Sequence, residues 1–178
     1  MGYQIVHRPR AWAAKQSTSI AIGALCAFVL VAGSNLQASA ASLSRSADIA
    51  APASAVWSTI GPFCAIKDWH PAIGTCAVDG GNPPTRTLVT KDGKTTFVEP
   101  QTARSETDRF YSYTFKASPF PVTHYMGTIW VVPTGERTSA VLWTGTYTPL
   151  PGKEKDANDA FASVYEAGLA ALKTKFSH

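Results

Sequence analysis

The sequence predicts an α+β domain: an antiparallel sheet of about six to seven strands with one face on a long C-terminal helix, and two short helices after the first strand. Three observations predict it. Runs of alternating apolar and polar residues, separated by Gly-, Pro- and Asp-Gly-containing turns, fill the middle of the chain. Prolines frame two short helical stretches between Pro52 and Pro71. Phe161, Val164, Tyr165, Leu169, Leu172 and Phe176 recur at helical spacing near the end and form one buried stripe.

The elements follow in order. A short strand ends at Pro52, whose fixed φ suits the first turn of a helix carrying Val56, Trp57 and Ile60 on one face. Gly61-Pro62 stops that helix, and a second short one runs to Trp69 before Pro71 ends it. Gly80-Gly81-Asn82-Pro83-Pro84 is a loop. Thr85 to Lys91 and Lys94 to Glu99 are strands joined by Asp92-Gly93, a two-residue hairpin signal. Arg109 to Phe115, Thr123 to Val132 and Ser139 to Tyr147 are further strands, and the long helix covers about Asp156 to Phe176. Gly168 and several alanines keep the helical stripe thin, which leaves room beneath the helix.

Residues 1–40 read as a secretory signal peptide rather than as part of the fold. Arg8, Arg10 and Lys15 form a basic start, Ile20 to Gly33 is an apolar run, and Ala38-Ser39-Ala40 is a small-x-small cleavage site. The competing reading is an uncleaved N-terminal anchor, although the apolar run is short for a membrane span. Residues 41–178 then form the single folded domain, exported to the periplasm or the medium, with no stable membrane insertion after cleavage. The whole chain has 16 basic and 12 acidic residues; the leader holds three basic and no acidic ones, which leaves 13 against 12. The mature chain is nearly neutral, so its charge gives no case for nucleic acid binding. No metal-ligand motif, phosphate loop or nucleophile constellation is present in the sequence, and no cofactor is expected.

Cys64 and Cys76 remain after the leader is removed. An even count in an exported chain favours a disulfide. Two buried free thiols are the alternative, since cysteine also serves as a small hydrophobe.

The hairpin fixes a parity. With Asp92-Gly93 as its loop, Leu88 opposes Phe97 and Arg86 opposes Glu99, all on one face. Leu88 and Phe97 mark that face as the inner one. Arg86 and Glu99 then either sit near the interior or are carried by the sheet twist to an exposed rim.

A strand, two short helices and the Trp69-His70-Pro71 corner, followed by the strands and the long helix, resemble the helix-grip superfamily. It includes START lipid-transfer domains, polyketide cyclases and aromatases, the birch pollen allergen family and plant abscisic-acid receptors. The resemblance implies a curved sheet wrapping the C-terminal helix, with a ligand cavity between them. Set against the abscisic-acid receptors, His70 takes the place of a cavity lysine, Glu99 of a cavity glutamate, and Tyr113 and Tyr125 of cavity aromatics. Trp143 replaces a polar cavity position. The receptors' gate and latch loops have no counterpart, because the segment from Thr90 to Thr95 is a tight turn and Phe120-Pro121-Val122 replaces the latch. Hormone-gated partner binding is therefore not implied. Arg86-Thr87-Leu88, Pro121-Val122-Thr123-His124-Tyr125 and Val164-Tyr165-Glu166-Ala167-Gly168-Leu169 are similar to motifs of small exported helix-grip proteins of the MxaD type. That likeness implies a role beside periplasmic methanol oxidation.

The expected function is non-enzymatic binding of a small apolar or amphipathic molecule. Trp69, His70, Arg86, Leu88, Phe97, Glu99, Tyr113, Tyr125, Trp143, Tyr165 and Leu169 are the expected ligand-binding residues. Plain core packing is the competing fate of the aromatics. Two other functions stay open. One is an accessory protein for a periplasmic dehydrogenase or cytochrome. The other is a cyclase-like enzyme in which His70, Glu99 and Tyr113 move protons.

Overall fold

The computed structural model describes residues 39–177. The segment read as a signal peptide lies almost wholly outside the described residues. The order is β1 (Ala41–Ile49), α1 (Ala53–Ile60), α2 (Ile66–Trp69), β2 (Ile73–Val78), β3 (Thr85–Thr90), β4 (Thr96–Ser105), β5 (Phe110–Thr114), β6 (Val122–Gly135), β7 (Thr138–Pro149) and α3 (Glu154–Lys175).

The strands form a seven-stranded antiparallel sheet in the order β1-β7-β6-β5-β4-β3-β2. This is the helix-grip arrangement, with α3 held against the inner face. Along β6 and β7 every second residue is buried, from Tyr125 to Val131 and from Val141 to Tyr147, which is the period expected of a sheet with one covered face. Register shifts at Gln101/Ala103 and at Thr123/Met126 mark bulges, and bulges bend a strand and raise its twist. At the second, His124 takes a positive φ of 52°, and Tyr125 beyond it is buried.

Pro52 caps α1 with φ −58°, as its ring dictates. Val56, Trp57 and Ile60 are the buried face of that helix, together with Ala53. β3 and β4 pair in the register that the Asp92-Gly93 turn requires, Arg86 opposite Glu99 and Leu88 opposite Phe97.

Two features depart from the sequence pattern. β4 does not end at Glu99 but runs through Pro100 to Ser105. Pro100 pairs with Thr85 at the end of the β3 ladder, and the strand then exchanges β3 for β5 as its neighbour. β2 has no clear alternation, because it is an edge strand with mostly exposed residues. Cys76 lies on it, and the structure joins Cys76 to Cys64 in a disulfide with Cα atoms 5.5 Å apart.

Candidate functional site

A cavity of about 220 Å³ lies between the sheet and α3. β3, β4 and β5 contribute Leu88, Phe97, Glu99 and Tyr113, with Phe115 just after β5; β6 and β7 contribute Tyr125 and Trp143; α3 contributes Phe161, Val164 and Tyr165. The lining residues that meet solvent include Ala72, Thr90, Thr95 and Phe120. The mouth therefore lies between the β3–β4 turn and the segment before β6.

Aromatic rings make most of the walls. Phe115 stacks on Tyr125 at 4.0 Å between centroids, Tyr125 on Phe161 at 4.7 Å, and Trp143 on Tyr165 at 4.5 Å. Offset ring pairs of this kind stabilise by about 0.5–1.5 kcal/mol beyond the area they bury. Within the walls the polar tips form one chain. Trp143 Nε1 donates to the Tyr113 hydroxyl at 3.0 Å, Tyr125 donates to Tyr113 at 3.2 Å, and the Tyr125 and Tyr165 hydroxyls are 2.8 Å apart. Burial pushes all three phenols above their ordinary range, most strongly Tyr113 and Tyr125. They are neutral donors at neutral pH.

Arg86 and Glu99 are both buried, so the interior alternative holds for this pair. Arg86 Nε donates to Glu99 Oε2 at 2.7 Å and Nη1 to the Phe63 carbonyl at 2.6 Å. The guanidinium lies over the rings of Phe63 at 4.3 Å and Tyr113 at 4.8 Å. Burial pushes the Glu99 carboxyl up, and the guanidinium opposes that rise. For Arg86, burial works against the charge, but Glu99 and the neighbouring phenols outweigh it and hold the proton more firmly than usual.

His70 reaches from the corner after α2 to α3. Its Nε2 lies 2.9 Å from the Val164 carbonyl, and the Ala72 amide donates to Nδ1 at 3.2 Å. This pattern assigns the proton to Nε2 and leaves a neutral ring. Burial, opposed by the Val164 hydrogen bond, lowers the His70 pKa. Gly168 makes the approach possible: a Cβ there would press on His70, Trp143 and Trp69, all within 3.0 Å.

With this geometry the chain can be compared with known proteins. A family model described as polyketide cyclase / dehydrase and lipid transport matches residues 40–177. The chain belongs to this family. Among solved structures, the protein XoxI of Bacillus cereus is 35% identical, with 76% of this chain and 95% of that chain covered and a TM-score of 0.72. An uncharacterized protein of Bacillus thuringiensis is 34% identical over 78% of this chain and all of its own, with a TM-score of 0.73. The Zhui aromatase/cyclase of a Streptomyces species shares the fold at 16% identity, over 77% of this chain and 93% of its own, with a TM-score of 0.63. No protein with a curated description matches.

This member of the cyclase/dehydrase and lipid-transport family brings most of the residues singled out in the sequence to one place. His70, Leu88, Phe97, Glu99, Tyr113, Tyr125, Trp143 and Tyr165 line the cavity. Three others do not. Trp69 packs one layer behind, edge-on to Trp143 at 5.8 Å and to His70 at 5.7 Å. Arg86 stands behind Glu99 and the Tyr113 ring and is not itself a lining residue. Leu169 lines a shallow depression beside Arg45 and Glu166, because it lies one turn further along α3 than Tyr165, toward β1. His70, which takes the place of the receptors' cavity lysine, lines the cavity with both ring nitrogens engaged by backbone. Phe115, Phe120 and Phe161 were not singled out as lining residues. Phe115 shares the parity of Tyr113 on the same stretch, and Phe161 sits in the helical stripe, so the pattern contained both.

Proposed function

We propose that the protein is a binding protein for a small, mostly apolar molecule held between the sheet and α3. The observation that carries this reading is the cavity itself, walled by rings and entered at one end. Its volume favours a small ligand. About 220 Å³ is below the roughly 300–1,000 Å³ of drug-sized sites and above the roughly 150 Å³ that suffices for benzene. The lipid-transport part of the family description and the aromatase/cyclase neighbour support a molecule of this class. An acid–base role has less support, since His70 is tied to the main chain, Glu99 to Arg86, and the phenols are held protonated. The test is an apolar fluorescent probe with the purified protein. One site per chain is expected, and Trp143→Ala should weaken binding by more than it lowers stability.

The same reading includes export, with cleavage near Ala40, as the basic start and the Ala38-Ser39-Ala40 site suggest. N-terminal sequencing of the extracytoplasmic protein should begin near Ala41; an intact Met1 in the membrane fraction overturns it.

A second reading is the MxaD-type accessory for a periplasmic dehydrogenase or its cytochrome. Met126, Trp130 and Val132 favour it, since they are exposed along the outer side of β6. It predicts faster dehydrogenase turnover in the presence of the protein, a gain lost in Trp130→Ser while probe binding persists.

A further inference from the structure

The hydroxyl chain in the cavity has one proton more than it has acceptors. A phenolic hydroxyl carries one proton and accepts through its oxygen. Tyr125 spends its proton on Tyr113, so the 2.8 Å contact between Tyr125 and Tyr165 takes its proton from Tyr165. The Tyr113 oxygen therefore accepts twice, from Tyr125 and from the Trp143 indole. Its own proton has no acceptor among the described residues, although the side chain is buried and lines the cavity. A buried donor without an acceptor is destabilising.

Glu99 presents the complementary deficit. It lines the same cavity, its Oε2 is taken by Arg86, and Oε1 accepts from no described residue. The Arg86 guanidinium, over the Tyr113 ring at 4.8 Å and bonded to Glu99, ties the two groups together. One wall thus offers a free O–H donor and a free carboxylate oxygen, and every other wall is mainly aromatic or aliphatic.

We infer that the ligand is a neutral, mostly apolar molecule bearing a hydroxyl group, which accepts from Tyr113 and donates to Glu99. A hydrocarbon would leave both groups unmet. A carboxylate would set its charge against Glu99, whose own charge is already matched by Arg86. The inference rests on the proposed binding function and specifies its chemistry.

The experiment uses toluene, benzyl alcohol and benzoate as probes, each a single ring suited to the cavity, with the native protein and Tyr113→Phe. Tyr113→Phe should weaken benzyl alcohol at least about fivefold more than it weakens toluene, the factor that about 1 kcal/mol of hydrogen bonding gives. Benzoate should bind the native protein at least tenfold more weakly than benzyl alcohol. A crystal structure of the native protein with benzyl alcohol should place its oxygen within about 3.2 Å of both the Tyr113 hydroxyl and a Glu99 oxygen; it decides the matter even where Tyr113→Phe fails to fold. Equal losses for alcohol and hydrocarbon, benzoate as tight as the alcohol, or an oxygen turned to the mouth overturns the hydroxyl inference while ligand binding stands. No binding of toluene or benzyl alcohol overturns both.

Discussion

Gly127 and Gly145 are direct partners across β6 and β7, and both lie beneath tyrosine hydroxyls. A Cβ on Gly127 would collide with the Tyr125 hydroxyl and the Tyr113 ring end; one on Gly145 would collide with the Tyr165 hydroxyl. The two missing side chains make the hollow in which the phenols meet.

Filling that hollow should therefore cost stability. Gly127→Ala and Gly145→Ala should each lower the unfolding free energy by about 1–3 kcal/mol, as overpacking does in a close-packed core. That outcome would oppose the usual gain from replacing glycine within a strand. Urea unfolding of each variant against the native protein measures it.

The buried ion pair gives predictions of different size for single and double changes. Arg86→Met should destabilise by about 3–5 kcal/mol, because it leaves a buried carboxylate. Arg86→Met with Glu99→Leu should cost less than the single change, since no uncompensated charge remains. The single variant should also show a larger pH dependence linked to Glu99 than the native protein. Without the guanidinium, burial alone acts on Glu99 and raises its folded pKa further above the unfolded value, near 4.5. The stability linked to this group is then present below 4.5 and lost as pH rises toward the folded value. Denaturation midpoints measured from pH 4 to pH 8 check both parts.

His70 gives the reverse dependence. Its folded pKa lies below the ordinary 6.5, so its contribution is present above 6.5 and lost as pH falls through the folded value. The mechanism is concrete: a proton on Nδ1 would meet the Ala72 amide donor. The native protein should lose stability on acidification below pH 6.5, and His70→Gln, which keeps a donor and an acceptor but does not titrate, should lose less over the same interval. Thermal melts at a series of pH values measure the difference.

Much of the sheet was legible in the sequence because turns and alternation are local signals. Asp92-Gly93 alone fixed which residue faces Glu99. It could not fix how deeply the pair is buried, since that depends on Phe63 and Tyr113, which approach from α1's end and from β5. The role of His70 was not legible for a similar reason. Its partner is a carbonyl 94 residues away on α3, and nothing in Trp69-His70-Pro71 announces it. Leu169 was assigned to the cavity from its helical spacing, but a stripe of that width reaches beyond the cavity to the β1 side of the sheet. The bounds of β2 were not legible because an edge strand need not alternate.

Cys64 and Cys76 yield a further prediction. Thiol titration of the denatured protein should find no free sulfhydryl from this pair. Replacing both by serine should cost about 3 kcal/mol in the loop-closure picture, concentrated in the α2–β2 segment that presents His70. Hydrogen exchange at Ala72 and Ile73 should quicken in that variant before the rest of the sheet responds.

The stacking of Trp143 on Tyr165 has a practical consequence. Among the tryptophans of the described residues, Trp57, Trp69 and Trp130 lie outside the cavity, and Trp143 forms part of its wall. Its indole N–H is committed to Tyr113, whose side chain lines the same space. The molecule thus carries its own optical reporter. Occupancy can be followed from the change in native tryptophan emission, with no label attached and no substitution in the wall being measured.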